Sequence, residues 1–121
     1  MSSSASSDCP KELGRLLVLG LSFDEIIVLS YLMSEWSVGE LLIFKELNTV
    51  LDRQRCLKVL RSLVDRGLVK HVSGCCFNID TKAVSELLGR DVKDVRAVGR
   101  RLLKFLRKWY DVPLTVVSYV I

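Results

Sequence analysis

Two stretches of the sequence concentrate basic side chains, the groups best suited to hold a polyanion. Residues 50–70 carry six basic and two acidic side chains and residues 89–110 carry eight and two, whereas residues 1–49 carry three and seven. Such an uneven distribution is typical of an oriented electrostatic surface, because charge that only keeps a protein in solution is spread more evenly. The two stretches therefore indicate two candidate surfaces for nucleic acid phosphates.

The spacing within the first stretch predicts an amphipathic helix that ends at Arg66. Asp52 is placed to cap its start, and Gly67 is placed to stop it. At about 100° per residue, the apolar side chains between Cys56 and Val64 fall on one side of the helix and the basic ones on the other. We therefore expect one side to pack in the core and the other to face solvent or a partner.

The second stretch predicts a longer amphipathic helix from Asp91 to Tyr110, with basic side chains at three- and four-residue steps along one side. Like charges on one side repel, so a stable helix needs strong packing behind them or anions in front of them. DNA phosphate is the natural anion, and we expect Arg100 and Lys104 to contact it. A purely solvated helix side and a membrane-surface helix are the alternatives.

The apolar side of this last helix carries more large side chains than one short core is expected to cover. It therefore predicts packing against the first helix and against a second copy of the chain, which is a homodimer held by residues 91–110 and 10–20. Gly99 lies within the apolar arc, where it would let another backbone approach closely.

The remaining reactive residue types form no constellation for catalysis or for a metal. The four cysteines include no C-x-x-C pair, and His71 is the only histidine, so neither a zinc nor an iron–sulfur site is expected. Cys56 has the helical spacing of a core residue, and a redox response of the cysteines is left open. Because no Ser/His/Asp set and no glycine-rich phosphate loop is found, we expect no enzyme activity and no cofactor.

The elements that position these residues follow from the hydrophobic periodicity and the turn signals. Residues 1–8 are expected to form a disordered tail, because a serine-rich segment has little to bury. Ser37 with Glu40 forms a capping-box signature for a third helix, and Ser73-Gly74 suits a hairpin turn. The predicted elements are helices at 9–21, 22–36, 37–47 and 53–66, strands at 68–72 and 75–79, and helices at 80–88 and 91–110.

This order of elements predicts a mainly α fold with a small β-hairpin wing, a winged helix-turn-helix with a long C-terminal amphipathic helix. Residues 9–90 would form the winged domain, and residues 91–121 would form the dimerisation helix with an apolar tail. The 121 residues suffice for one modest core. No secretory signal and no run long enough to cross a bilayer is recognised, so we expect a cytoplasmic protein that does not bind a membrane.

The segment Leu51 to Val69, LDRQRCLKVLRSLVDRGLV, resembles the recognition helix of MarR-type and archaeal TrmB-like regulators and ends in their L-x-x-x-G-L-V signature. Gly20 to Leu32 is similar to the first helix of the archaeal members, in which G-L-[ST]-x-x-E opens a core helix. The resemblance covers about residues 20–80. It implies a dimeric winged-helix regulator of transcription that binds specific double-stranded DNA. The wing departs from the family pattern, because it is short and offers only Lys70 and His71.

The resemblance also implies that the early exposed residues of the recognition helix enter the major groove. Arginine can bind guanine and glutamine can bind adenine through paired hydrogen bonds, while longer basic side chains reach phosphates. The alternative function is a winged helix that binds proteins in a transcription or chromosome-maintenance assembly. No pattern identifies a small-molecule effector. The predicted DNA-binding residues are Arg53, Gln54, Arg55, Lys58, Arg61, Lys70, Arg100 and Lys104.

Overall fold

The computed structural model describes residues 10–39, 51–72 and 76–109, together with Ile43, Lys45 and Leu47. Its mainly helical architecture with a small antiparallel sheet confirms the predicted winged-helix-like fold class. None of the helices in these ranges has the length and apolar character needed to cross a bilayer. The elements are α1 (Lys11–Val18), α2 (Phe23–Glu35), β1 (Ser37–Gly39), α3 (Arg53–Asp65), β2 (Val69–Val72), β3 (Cys76–Ile79), α4 (Thr81–Leu88), a 3-10 turn (Val92–Asp94) and α5 (Val95–Trp109).

Helix α2 is the centre of the fold, as its apolar density predicted. Residues 26–34 are all buried, as expected of a helix that is apolar on every side. A capping box begins the helix: the Glu25 N–H donates to Ser22 Oγ at 3.1 Å, and the Ser22 N–H donates to Glu25 Oε1 at 2.8 Å. The start of α2 is therefore set by two residues that satisfy each other's backbone donors.

Helices α3 and α4 begin at capping aspartates. Asp52 Oδ1 accepts from the Arg55 N–H at 2.8 Å, and Asp80 Oδ1 accepts from the Ala83 N–H at 3.1 Å. Gly67 follows α3 with φ of 79°, a left-handed conformation that costs glycine little. The predicted start and stop of the recognition helix are confirmed.

The sheet has three strands in the order β1-β3-β2, with both pairs antiparallel. The predicted hairpin strands are present, but β1 was not predicted and Ser37 was wrongly assigned as a helix cap. Ser37 pairs instead with Asn78 of β3, because a ladder offered by a distant strand overrides a local capping signal. Helical backbone at Ile43 and Leu47 agrees with a helix further on. The bounds of that helix lie outside the described residues, and so do Glu40 and the turn at residues 73–74.

Helix α5 packs along α2 of the same chain. Its apolar residues Val98, Leu102 and Leu106 are fully or almost fully buried there. A Cβ atom at Gly99 would lie 2.6 Å from Met33 Cβ, which confirms the predicted close approach of another backbone. The intramolecular contact covers these three residues without a second copy of the chain, and the homodimer stays a prediction.

Both terminal helices are shorter than predicted. Pro10 has an extended ψ of 138° and is the residue before α1, which begins at Lys11 and ends at Val18. The last α-helix begins at Val95, because residues 92–94 form a 3-10 turn that leaves Val92 outside the core. Residues 1–9 and 110–121 lie outside the described residues, as do the expected tail and the apolar C-terminal segment.

Candidate interaction surfaces

The outer side of α3 presents the predicted recognition residues together. Arg53, Gln54, Arg55, Lys58 and Arg61 are all exposed. The opposite side of the helix packs in the core through Cys56, Val59, Leu60 and Leu63. This division confirms the expected orientation of the helix and the core role of Cys56. Base or phosphate contacts of the five outer residues stay a prediction.

One of these residues, Arg55, is already held by the protein itself. Its Nη2 donates to Asp24 Oδ2 at the start of α2, at 2.6 Å. Reading a base with this guanidinium would require the ion pair to break or to be shared. Because both side chains are partly exposed, the pair adds little stability of its own, but it lowers the positive charge of the α3 surface.

A buried carboxylate, that of Glu25 in α2, accepts hydrogen bonds from residues at the end of α3. Glu25 Oε2 accepts from Ser62 Oγ and from Arg66 Nε, the latter at 3.0 Å. Burial raises the pKa of the Glu25 carboxyl, but the hydrogen bonds from Ser62, from the Ser22 N–H and from Arg66, with the charge of Arg66, outweigh burial and hold that pKa below its ordinary value. Arg66 is thus a structural residue. The G-L-S-x-x-E motif marks this helix junction rather than a ligand site.

The described part of the wing offers little positive charge. Lys70 Nζ lies 3.7 Å from Asp80 Oδ2, which offsets its charge. His71 stacks on Phe77 with ring centroids 4.5 Å apart and an angle of 6° between the planes. The predicted phosphate contact of Lys70 would therefore compete with an intramolecular pair.

The two basic helices contact different sides of α2. Glu25 marks the side that meets α3, through its contact with Arg66. The Cβ position of Gly99 on α5 lies 2.6–2.9 Å from atoms of Ser30, Met33 and Ser34. These three residues follow Glu25 by about 140°, 80° and 180° around the helix axis. The expected DNA-binding residues therefore fall on two helices that meet α2 on different sides.

An apolar patch at the turn between α1 and α2 was not predicted. Leu17, Val18, Leu19 and Phe23, which we call the α1–α2 patch, are 38, 87, 47 and 44% exposed. Exposed apolar side chains that lie close together in the chain, on both sides of one turn, are candidates for a protein interaction site. The run from Leu16 to Leu21 carried the signal, but periodicity placed it inside a longer buried helix.

Two cysteines lie in the described ranges. Cys56 is buried and Cys76 is half-buried. Within those same ranges, no three His, Cys, Asp or Glu side chains come together as metal ligands. Cys9 and Cys75 lie outside the described residues.

The region that contains α2, α3 and the sheet matches a known family. The family described as PolB1 Binding Protein 2 matches residues 22–83, just over half of the 121 residues. Neither a curated protein nor a solved structure matched the chain. The match corrects the resemblance to MarR-type and TrmB-like regulators and lends no support to a role in transcription. The G-L-S-x-x-E and L-x-x-x-G-L-V motifs indicate how two helices pack, and proteins with unrelated functions share that packing. The chain belongs to the PolB1 Binding Protein 2 family.

Proposed function

We propose that the chain is a non-catalytic interaction module that binds a DNA polymerase, PolB1. The observation that carries this proposal is the family match over residues 22–83, whose description names PolB1 as the bound protein. The proposal follows the alternative drawn from the sequence, a winged helix that binds proteins, rather than a sequence-specific regulator.

Two of the residues predicted to bind DNA are already engaged within the chain, which favours a protein-binding module over a base reader. Arg55 of α3 is paired with Asp24, and Lys70 of β2 is close to Asp80. A helix that reads bases presents its hydrogen-bond donors to the groove, and Arg55 would have to leave or share Asp24 to do so. The proposed function does not require α3 to enter DNA.

We place the polymerase contact at the α1–α2 patch. Phe23 lies inside the matched range. The next residue in the chain, Asp24, forms the ion pair with Arg55 of α3. An exposed aromatic and aliphatic centre next to a charged pair has the composition of a protein interface, in which apolar and aromatic anchors carry most of the binding energy.

The test replaces two patch side chains with small polar ones, as Val18→Ser with Phe23→Ser. Losing both anchors should weaken binding to purified PolB1 by at least about tenfold, since anchor residues contribute about 1–2 kcal/mol or more each. Isothermal titration calorimetry with the full-length chain measures the affinity. Circular dichroism and thermal melting establish that the variant is folded.

The matched control is Val72→Ser with Val92→Ser, which removes two partly exposed apolar side chains, each 40% exposed, from β2 and from the 3-10 turn. Its affinity for PolB1 should stay within about twofold of the unmodified chain, because surface substitutions outside an interface have small effects. Equal losses in both variants, or no loss in the patch variant, would rule out the patch. Sedimentation of the chain without PolB1 shows whether the patch pairs two copies instead.

A further inference from the structure

The outer side of α5 is a continuous cationic surface. Its exposed residues are Arg96, Ala97, Arg100, Arg101 and Lys104, and the α5 sequence contains no acidic residue. At about 100° per residue, these five residues span one arc opposite the buried residues. We call them the α5 face.

The positive charges at the centre of the α5 face are not balanced by a carboxylate among the described residues. Arg101 Nη2 lies 3.5 Å from Glu12 Oε2, and the Arg96 guanidinium lies 4.9 Å above the Trp36 ring. Arg100 and Lys104, by contrast, have no carboxylate within ion-pair distance among the described residues. These two cations lie at an i, i+4 spacing, at which like charges destabilise a helix.

We propose that the α5 face binds the phosphate backbone of double-stranded DNA. The exposed side chains of the face are four cations and the small Ala97, with no large apolar side chain among them, whereas protein interfaces are depleted of charge at their core. Arg96, Arg100 and Lys104 follow one another at steps of about 6 Å along the helix. The duplex offers one negative charge per about 1.7 Å of its axis, so each cation finds a phosphate without a specific sequence.

This inference goes beyond the proposed function and does not depend on it. The α5 face lies outside the matched residues 22–83, on a helix that contacts a different side of α2 from α3. It shares no residue with the α1–α2 patch. A module that binds a polymerase at one surface can therefore hold the adjoining duplex at another, which would strengthen both contacts by raising the local concentration.

The test measures DNA binding of the full-length chain, without polymerase, by fluorescence anisotropy over a series of salt concentrations. The probe is a labelled duplex of random sequence. In the double variant Arg100→Gln with Lys104→Gln, the slope of log affinity against log salt should fall by about 1.8, because each lost phosphate contact removes about 0.9. The loss should be the same for duplexes of different sequence.

The α3 surface is tested separately by Lys58→Gln with Arg61→Gln, which removes the same charge from two residues that the sequence also predicted to bind DNA. The matched control is Lys11→Gln with Lys82→Gln, which removes the same charge from exposed positions on α1 and α4; its slope should stay close to that of the unmodified chain. An equal fall of the slope in the α5 variant and the control would overturn the proposal in favour of diffuse attraction, and a fall confined to the α3 variant would assign DNA to α3. If the α5 variant loses PolB1 but not DNA, the face binds an acidic protein surface, which also overturns the proposal. Melting curves establish that all three variants fold.

Discussion

At the scale of single residues, Glu25 shows how a polar side chain is tolerated in the core. Its two carboxylate oxygens meet the Ser22 N–H, Ser62 Oγ and Arg66 Nε, so the charge is buried but fully hydrogen-bonded. A buried carboxylate without such partners would destabilise the fold, because its desolvation would be uncompensated. Glu25 therefore connects the start of α2 to the end of α3.

Replacing this carboxylate, as Glu25→Gln, should lower the free energy of unfolding at pH 7 by about 1–3 kcal/mol, because hydrogen bonds to a charged group are lost. Since folding lowers the pKa of Glu25 below its ordinary value of 4.5, its stabilisation is fully present above that value. It is lost as the pH falls through the lower pKa of the folded protein. Urea unfolding at several pH values measures the difference between variant and unmodified chain, which should shrink in acid.

The exposed residue Asp65 provides the control for this experiment. Asp65→Asn removes one negative charge from the same helix pair without touching the junction, so its effect should stay within about 0.5 kcal/mol. A Glu25→Gln variant that is as stable as this control would show that the junction is held by apolar packing without the carboxylate.

At the scale of elements, the contact between α2 and α5 depends on a missing side chain. A Cβ atom at Gly99 would lie 2.6 Å from Met33 Cβ and 2.9 Å from both Ser30 O and Ser34 N. Two of these three atoms belong to the backbone, which cannot move aside without shifting the whole helix. Glycine at this position therefore sets the distance between the two helices.

Gly99→Ala should lower the free energy of unfolding by about 1–2 kcal/mol, because the cost of overpacking exceeds the helix propensity that alanine adds. Gly14→Ala should have the opposite sign and stabilise the protein by about 0.5–1 kcal/mol, since Gly14 is helical and exposed. A Cβ atom at Gly14 would meet no atom within 4 Å. Thermal and urea unfolding compare the two variants. Stabilisation by both substitutions would contradict the close approach of α2 and α5.

At the scale of the whole molecule, α5 and the winged part share one hydrophobic core. Val95, Val98, Leu102 and Leu106 belong to the same cluster of buried residues as α2, α3 and the sheet. The division into a winged domain of residues 9–90 and a separate element of residues 91–121 stays a prediction, which the shared core makes testable by truncation.

A chain truncated after Arg90 should consequently lose cooperative unfolding. Removing α5 exposes the side of α2 that carries Met33, and a small domain has little stability to spare. Circular dichroism during urea titration, with binding of a hydrophobic dye, measures the change against the full-length chain. A sharp two-state transition in the truncated chain would instead identify residues 9–90 as an independent domain.

The sequence by itself determined where α2, α3 and α4 begin and end. Asp52, Gly67 and the Ser22–Glu25 box act on backbone groups within four residues, so their effects are visible in a short window. The amphipathic pattern of residues 53–66 likewise predicted which side of α3 is buried, and Gly99 stood out within an apolar arc.

Only the tertiary structure decided which segments meet. The pairing of Ser37 with Asn78, the ion pair of Arg55 with Asp24 and the burial of α5 against α2 join residues that are distant in sequence. A capping signal or a row of charges is a local pattern, and it does not indicate which distant residue will contact it in the folded chain. The tertiary structure therefore places Ser37 in a strand, pairs Arg55 with Asp24, and brings the two basic helices to different sides of α2.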